Sequence, residues 1–542
     1  MEVVLADSVS EVSSNGNRTP RHEDPQVNSD LLLLDKSVMP CLRVIGEGRS
    51  SRVFGHRYQE CYGAAVECPI MHKVIQRFID MGLNAPRYAL EGRFVIRILK
   101  SEYDSVFGVA PGGTGGDDEE TLSPQEVKKR QLALPGCEQA ALAHLRPFVG
   151  QCVSITVRVV HPLHGAIEVF EGMVMPNFQT MPLSSVSLSS RIHTVEIKPK
   201  ALWWPPTVLA CSFHDDLTEP ILQLHVAKRL RCRYSMMQRY KLATRKVSVM
   251  SDYCPNLLLN EQHRSLTLAL RNLTSVPQNN LRYWVDGVED TQSADESLTK
   301  EVLGVLKCTL SASKVFERIS ELQLRNQVDI ELLESMVRHA HNNGTNILER
   351  VESLRHRHQQ SMTEEMRQGI RAVHPLDGWT CKMDHRVYSE LDRDATCSCQ
   401  DQRPSRSMIF QETKTELFTL DELERAVDDF YVAASARDVS VMVTMCRTTP
   451  QAMTTFTNWT DVTQMGNGWT GRSCVRAVVC PEEGVLVGLQ LRRNTGRPQE
   501  GKEVVCYLCR VAVVDIASKR HKSISHYFQQ DLTILGYFQK GL

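Results

Sequence analysis

HTVEIKPK, from His193 to Lys200, alternates apolar with polar residues and is soon followed by a run crowded with positive charge. In an extended chain alternate side chains share a face, so Glu196, Lys198 and Lys200 are expected on one side of a strand and Val195 and Ile197 on the other. Pro199 disfavours helix at Lys198 and holds the dipeptide extended. A charged alternating strand is commonly a solvated sheet face. The neighbouring sequence weighs against so plain a role. Between Pro220 and Ser251 there is no Asp or Glu, whereas Lys228, Arg229, Arg231, Arg233, Arg239, Lys241, Arg245 and Lys246 are all basic. Read as a helix, RCRYSMMQRYK sets Arg233, Met237 and Lys241 on one stripe at i, i+4 spacing. A strand with two lysines beside a helix with a basic stripe suits a polyanion.

The chain has 542 residues, enough for two or more domains with cores of their own. With 42% hydrophobic and 23% charged residues it reads as globular. Lys and Arg number 63 against 64 Asp and Glu, so the basic run is local and implies no general attraction to nucleic acid or anionic membrane. No segment approaches the roughly 20 apolar residues of a membrane span. The run Leu31 to Leu34 is short and comes after a polar, acidic start, so neither anchor nor signal peptide is expected. Seventeen cysteines without a secretion signal argue for reduced thiols and a cytoplasmic or nuclear location.

The strings VEIKPK, CRYSMMQRYK, SDYCPNLLL and SVPQNNLRYWVDG, in this order and spacing, resemble the inositol-pentakisphosphate 2-kinase family. That resemblance implies an α+β, two-lobed kinase-like fold using ATP and Mg2+ to phosphorylate the axial 2-hydroxyl of inositol pentakisphosphate. The expected organisation is a disordered tail over residues 1–40, rich in Ser, Asn, Asp, Glu and Pro. A small mixed lobe is expected over 41–180, with an acidic insertion near 108–130. A larger lobe spans 181–542, with a helical and Cys/His-containing insertion near 298–412.

In the small lobe, CLRVIGEGRSSRVFG reads as strand, glycine turn, strand. Gly46 and Gly48 would let backbone amides approach a phosphate, although such a pair is also an ordinary hairpin turn. Arg97 interrupts the apolar strand GRFVIRILK and needs a partner there. By resemblance the glycine loop covers the ATP phosphates, Arg97 reaches one of them, and Asn177 in EGMVMPNFQ meets the nucleotide. Glu196 and Arg282 are implied nucleotide contacts as well, Glu196 at the sugar.

Towards the chain's end, Asp438 opens the apolar run VSVMVTM and Asp515 closes VCYLCRVAVV. A carboxylate at the end of a buried strand is costly unless a cation meets it, though either Asp also reads as a turn cap. The resemblance implies that Asp438 faces the reacting hydroxyl and accepts its proton, that Asp515 holds magnesium, and that Lys198 neutralises the transferring phosphoryl group. It implies phosphate contacts from Lys200, Arg233, Lys241, Asn279, Asn280, Lys519, Lys522 and Tyr527. Many donors are needed, because five phosphate monoesters bring on the order of −8 to −10 charges into the site. Three departures from the family pattern stand out: Met237 for a histidine, Arg520 for a proline and Ser523 for an arginine, with Lys522 a substitute for the last.

Cys381, His385, Cys397 and Cys399 are spaced C-x3-H-x11-C-x-C, which four-coordinate zinc could accept. The plant members' CxxC pair is missing from this segment, and free thiols are expected rather than structural zinc. The partners expected are ATP and inositol pentakisphosphate, with no nucleic acid, no membrane and a monomeric chain. Two other readings stay open: a catalytically impaired inositol phosphate binder, and a nucleic-acid binder stacking bases on Trp203, Tyr234 and Tyr240. A protein kinase is excluded by the lack of HRD and DFG strings.

Overall fold

The computed structural model describes residues 31–34, 42–47, 51–56, 74–76, 94–99, 139–160, 167–181, 191–202, 233–259, 266–290, 299–326, 328, 330–342, 344–345, 420–450, 460–461, 474–480, 484–493, 503–520 and 522–540. They fall into two compact units, the first drawn from residues 1–135, 149–184 and 479–484, the second from 136–148, 185–478 and 485–542. Helix and strand are mixed throughout, as an α+β chain requires.

The first unit holds a six-stranded sheet of β1 (Leu31–Leu34), β2 (Leu42–Glu47), β3 (Ser51–His56), β4 (Phe94–Leu99), β5 (Val153–Val160) and β6 (Ile167–Pro176), in the order β1-β5-β6-β4-β3-β2. Phe94 and Ile96 are fully buried in β4. β1 runs parallel to β5, Leu31 opposite Thr156, so part of the expected tail is instead an edge strand. The β2–β3 register slips between Val44 and Gly46, a bulge of the kind glycine permits.

The second unit is built on an eight-stranded sheet, adding β7 (Ile192–Ile197), β8 (Leu281–Val285), β9 (Val288–Glu289), β10 (Ser440–Thr448), β11 (Thr460–Asp461), β12 (Cys474–Cys480), β13 (Gly484–Arg493) and β14 (Glu503–Val514). The order is β11-β12-β13-β14-β10-β7-β8-β9. β7, β10 and β14 lie side by side and antiparallel at its centre. Val195, Ile197, Val441, Val443, Val511, Ala512 and Val513 are all fully buried, the near-continuous apolar pattern of strands covered on both faces. A buried Thr194–Thr444 hydroxyl pair at 3.1 Å satisfies the polar groups between β7 and β10.

Its helices are α1 (Gln139–Val149), α2 (Arg233–Ala243), α3 (Pro255–Leu259), α4 (Leu266–Ser275), α5 (Lys300–Ser313), α6 (Val315–Gln323), α7 (Ile330–Asn342), α8 (Leu420–Ala436) and α9 (Ile524–Lys540). Leu333 of α7, Val427, Phe430 and Tyr431 of α8, and Ile524 and Phe528 of α9 share one apolar cluster. Ser523 caps α9, its Oγ accepting from the His526 amide at 3.0 Å. Arg520 pairs with Asp428 of α8 and lies over the Tyr431 ring, 5.0 Å from its centroid. The connection from β14 into α9 is thereby tied to α8.

Because Ile197 is fully buried between Val441 and Leu281, truncating it leaves a cavity at the centre of the sheet. Ile197→Ala should lower the unfolding free energy by about 3 kcal/mol, read by urea denaturation. A loss below about 1 kcal/mol would place this strand outside the core.

Candidate active site

Register decides which chain segments meet. Ile197 pairs with Val441 and with Leu281, and Ser440 pairs with Val514. The end of β7, the starts of β8 and β10 and the end of β14 therefore lie at one edge of the sheet. Lys198 to Lys200, Asn279 and Asn280, Asp438, and Asp515 to Lys519 all sit just beyond that edge.

Strand alternation brings Glu196 and Lys198 to one side, as expected, and their charged groups are 3.7 Å apart. It stops there, because β7 ends at Ile197 and Lys200 has a left-handed backbone with φ of 66°. That turn corrects the expectation of three charges along one strand face. It carries the Lys200 ammonium to 3.9 Å from Asp438 Oδ1. Asp438 Oδ2 accepts from Lys519 Nζ at 2.5 Å. Lys198 Nζ also lies 4.0 Å from Asp515 Oδ2, which accepts from Ser440 Oγ at 3.2 Å. Asp515 too has positive φ, 62°. Two non-glycine residues in this sparsely populated region, both at one site, are the kind of backbone strain that a surrounding structure must hold in place.

Crowding sets the electrostatics. Burial pushes the Lys200 ammonium down to about 8 despite Asp438, with Lys198, Lys241 and Lys519 pushing the same way. Burial alone would raise the Asp438 carboxyl, but Lys519 beside it, with Lys200 and Lys198, holds it below its ordinary value. Its side chain is 52% exposed, so this anchored carboxylate faces outward. Lys241 is half-buried and lowered by burial and by Lys246, and it makes no ion pair with a carboxylate among the described residues. Cations gathered in this way are stabilised when an anion arrives.

The other expected site residues divide between the site and its scaffold. Arg233 pairs with Asp531 of α9 and donates to Gln530 Oε1 at 3.3 Å, so its guanidinium is engaged within the fold. Tyr527 packs edge-on against Phe430 at 5.2 Å, and burial raises its hydroxyl well above the usual value. Lys522 is half-buried, its carbonyl accepting from Tyr431 Oη at 2.9 Å. Arg282 makes a forked pair with Glu289 at 2.7 and 2.5 Å and stands 3.9 Å from Glu196. Asn279 is exposed. Asn280 is corrected from substrate contact to scaffold: it is 1% exposed, donates to Tyr234 Oη at 2.9 Å, and its carbonyl accepts from the Lys198 amide at 2.8 Å. Met237 is likewise corrected, since it packs against Ile534 and Leu535 of α9. Its stripe on α2 faces a helix whose Asp531 takes Arg233 and whose Tyr537 meets Tyr240 edge-on at 5.1 Å. Tyr234 is buried, so no stacking platform for bases forms from it.

In the first unit, Gly46 lies at the β2 bulge and Arg97 in β4 between Val53 and Met173. Asn177 closes a turn, its Oδ1 accepting from the Gln179 amide at 3.0 Å. Gly48 and the four residues Cys381, His385, Cys397 and Cys399 lie outside the described residues.

Sequence reasoning missed the groups that hold the lysines. Tyr253 Oη donates to the Pro199 carbonyl at 2.8 Å. Gln238 and Gln278 exchange amide hydrogen bonds at 3.0 and 2.9 Å, fixing the turn before Asn280 to α2. Gln323 bonds to Lys200, Leu202 and Ala436. The one signal that could have found it is a glutamine at i+7 from Phe316 and i+4 from Ile319, on the apolar stripe of a helix.

Lysines crowd this edge around an outward carboxylate, Lys200 and Lys519 at Asp438 and Lys198 at Asp515, an arrangement with the charge to accept a polyanion. A sequence model of the inositol-pentakisphosphate 2-kinase family matches residues 45–533, and the chain belongs to that family. Among curated proteins, the zebrafish (Danio rerio) inositol-pentakisphosphate 2-kinase is 33% identical over 116 residues. That alignment spans 21% of each chain.

Lys200 gives a pH test with two signs. Its folded value lies below the usual 10.5, so burying the charged form costs stability below about pH 8 and the cost is relieved as pH rises from there towards 10.5. Anion binding runs oppositely, because the charge is lost over the same range. Calorimetry should show inositol hexakisphosphate binding weakened at pH 9 relative to pH 7, by on the order of tenfold more in the parent than in Lys200→Arg, whose guanidinium stays charged. Equal pH dependence in the two proteins would remove Lys200 from the anion site.

Met237→His should leave KM for the pentakisphosphate unchanged and lower stability by on the order of 1 kcal/mol, since it buries a polar ring against α9. A tenfold fall in KM would return residue 237 to the substrate.

Proposed function

We propose that this chain is an ATP-dependent inositol-pentakisphosphate 2-kinase, converting inositol 1,3,4,5,6-pentakisphosphate to the hexakisphosphate (phytate). Membership of a kinase family supports ATP as phosphoryl donor, and the zebrafish relative bears this activity in its name. The observation that carries the reading is Asp438: an outward carboxylate held charged among Lys519, Lys200 and Lys198. A pure binder of polyanions gains nothing from a carboxylate at the centre of its cations. A kinase does, because the acceptor hydroxyl must be oriented within a cage of phosphate-binding groups.

On this reading Lys200, Lys241 and Lys519 grip phosphates of the inositol ring, and Asp438 accepts a hydrogen bond from the 2-hydroxyl. A carboxyl held below its ordinary value is a weak base. That suffices, since phosphoryl transfer passes through a loose transition state in which positioning and charge neutralisation dominate. Lys198, shared between Glu196 and Asp515, would meet the transferring group. Gly46, Arg97 and Asn177 would contact the nucleotide.

Asp515 fits magnesium in donor chemistry: a carboxylate, 36% exposed, of the hard oxygen type the ion prefers. No cluster of three or more metal-ligating side chains occurs among the described residues, and magnesium beside nucleotide phosphates needs only one or two carboxylates. When bound it would neutralise phosphate charge. Asp515 is the residue that would hold it.

Incubation with ATP, magnesium and inositol pentakisphosphate should yield the hexakisphosphate on anion-exchange chromatography. Binding of ATP and pentakisphosphate by folded protein without product would favour the alternative, an impaired kinase that acts as an inositol phosphate binder. Asp515→Asn should lower kcat by about a hundredfold or more, the scale of lost transition-state electrostatics. Lys198→Ala should act mainly on kcat, and Lys241→Ala should raise KM about tenfold with kcat little changed. The reverse pattern would exchange their roles.

A further inference from the structure

Gln323 ends α6 on its buried face, 4% exposed, and its amide makes three hydrogen bonds to backbone. Nε2 donates to the Lys200 carbonyl at 3.0 Å and to the Ala436 carbonyl at 3.2 Å, and Oε1 accepts from the Leu202 amide at 2.7 Å. Both donor hydrogens of the amide are thus used. The partners belong to different parts of the chain. Lys200 and Leu202 lie beyond β7, where the chain turns through the positive φ of Lys200. Ala436 is the last residue of α8, two before Asp438.

We propose that Gln323 is a positioning residue which fixes the Lys200 ammonium relative to the Asp438 carboxylate by clamping both backbones to one side chain. The role rests on the kinase reading only for its catalytic consequence; the clamp stands on geometry. A lysine in a left-handed turn is sterically disfavoured and returns to an extended conformation unless held. Its neighbours hold it only partly: the Tyr253 hydroxyl takes the Pro199 carbonyl and the Asn280 carbonyl takes the Lys198 amide. Neither reaches α8. Gln323 hydrogen-bonds the backbones of both segments.

The test uses the full chain and two variants. Gln323→Glu keeps length and an acceptor for Leu202 but removes both donors. Gln323→Asn keeps the amide and shortens its reach by one carbon, and it serves if the first variant fails to fold. Brief reaction of ligand-free protein with an amine-acylating reagent, followed by mass spectrometry, gives the labelling rate of Lys200 relative to Lys246. Freed from its clamp, Lys200 changes both its exposure and the crowding that lowers its pKa to about 8, so its labelling ratio to Lys246 should shift at least threefold from the parent's. With pentakisphosphate and ATP, kcat should fall about tenfold with a smaller change in KM, and a purely structural defect would lower active fraction without altering the Lys200 labelling ratio in the folded pool. An unchanged ratio in a folded variant overturns the proposal whether or not the parent turns over. An inactive parent whose Lys200 still loosens in the variant would overturn the kinase reading and keep the clamp.

Discussion

Lysines crowded around one outward carboxylate repel one another, and much of the second unit can be understood as the means of keeping them together. Lys200 registers the cost, since burial and the charges of Lys198, Lys241 and Lys519 together outweigh the attraction of Asp438. A single exposed ion pair contributes about 1 kcal/mol or less, so the Lys519–Asp438 contact cannot be what gathers the group. Packing does it. The fully buried valines and isoleucine of β7, β10 and β14 lock three antiparallel strands in register, and the charged residues are carried as their extensions.

Register has a consequence for specificity of placement. A slip of one residue between β7 and β10 would put Thr194 and Glu196 in the places of Val195 and Ile197 and carry both apolar side chains to the opposite face. The apolar faces therefore fix the position of Lys198 more firmly than any contact that Lys198 itself makes. Beyond the last paired residue this control ends. The Lys198 amide still donates to the Asn280 carbonyl, and beyond it side chains hold the backbone, Tyr253 on Pro199 and Gln323 on Lys200 and Leu202.

That boundary also separates what is legible in the sequence from what is not. The strands at 42–47, 51–56, 94–99 and 192–197 and the helix at 233–243 follow from alternation, apolar runs, a helical stripe and glycine placement. Asp438 and Asp515 are legible as carboxylates at strand ends, and the structure sets both near lysines. Alternation puts Lys200 in the right neighbourhood for an incomplete reason, because a period of two has no way of announcing a left-handed residue. Met237 and Asn280 mislead for a related cause. A stripe at i, i+4 spacing says that residues share a helix face, and only the tertiary fold says that this face meets α9. The edge strand at Leu31–Leu34 is hidden by the polar composition around it.

The departures from the family pattern near the chain's end are better understood as scaffold than as loss. Arg520 is anchored to Asp428 and Tyr431, so it ties the segment after β14 to α8, the helix that ends beside Asp438. Ser523 exchanges a long cation for a helix cap, and its hydroxyl satisfies an amide at the start of α9. Between them, the Lys522 amide donates to the Lys519 carbonyl at 3.2 Å and the Lys522 carbonyl accepts from Tyr431. Lys519 is thus fixed through its neighbours on α8 and α9 and through its own ammonium on Asp438. Position 523 thus serves the start of α9 as a cap, while Lys519, four residues before it, keeps the contact with the carboxylate.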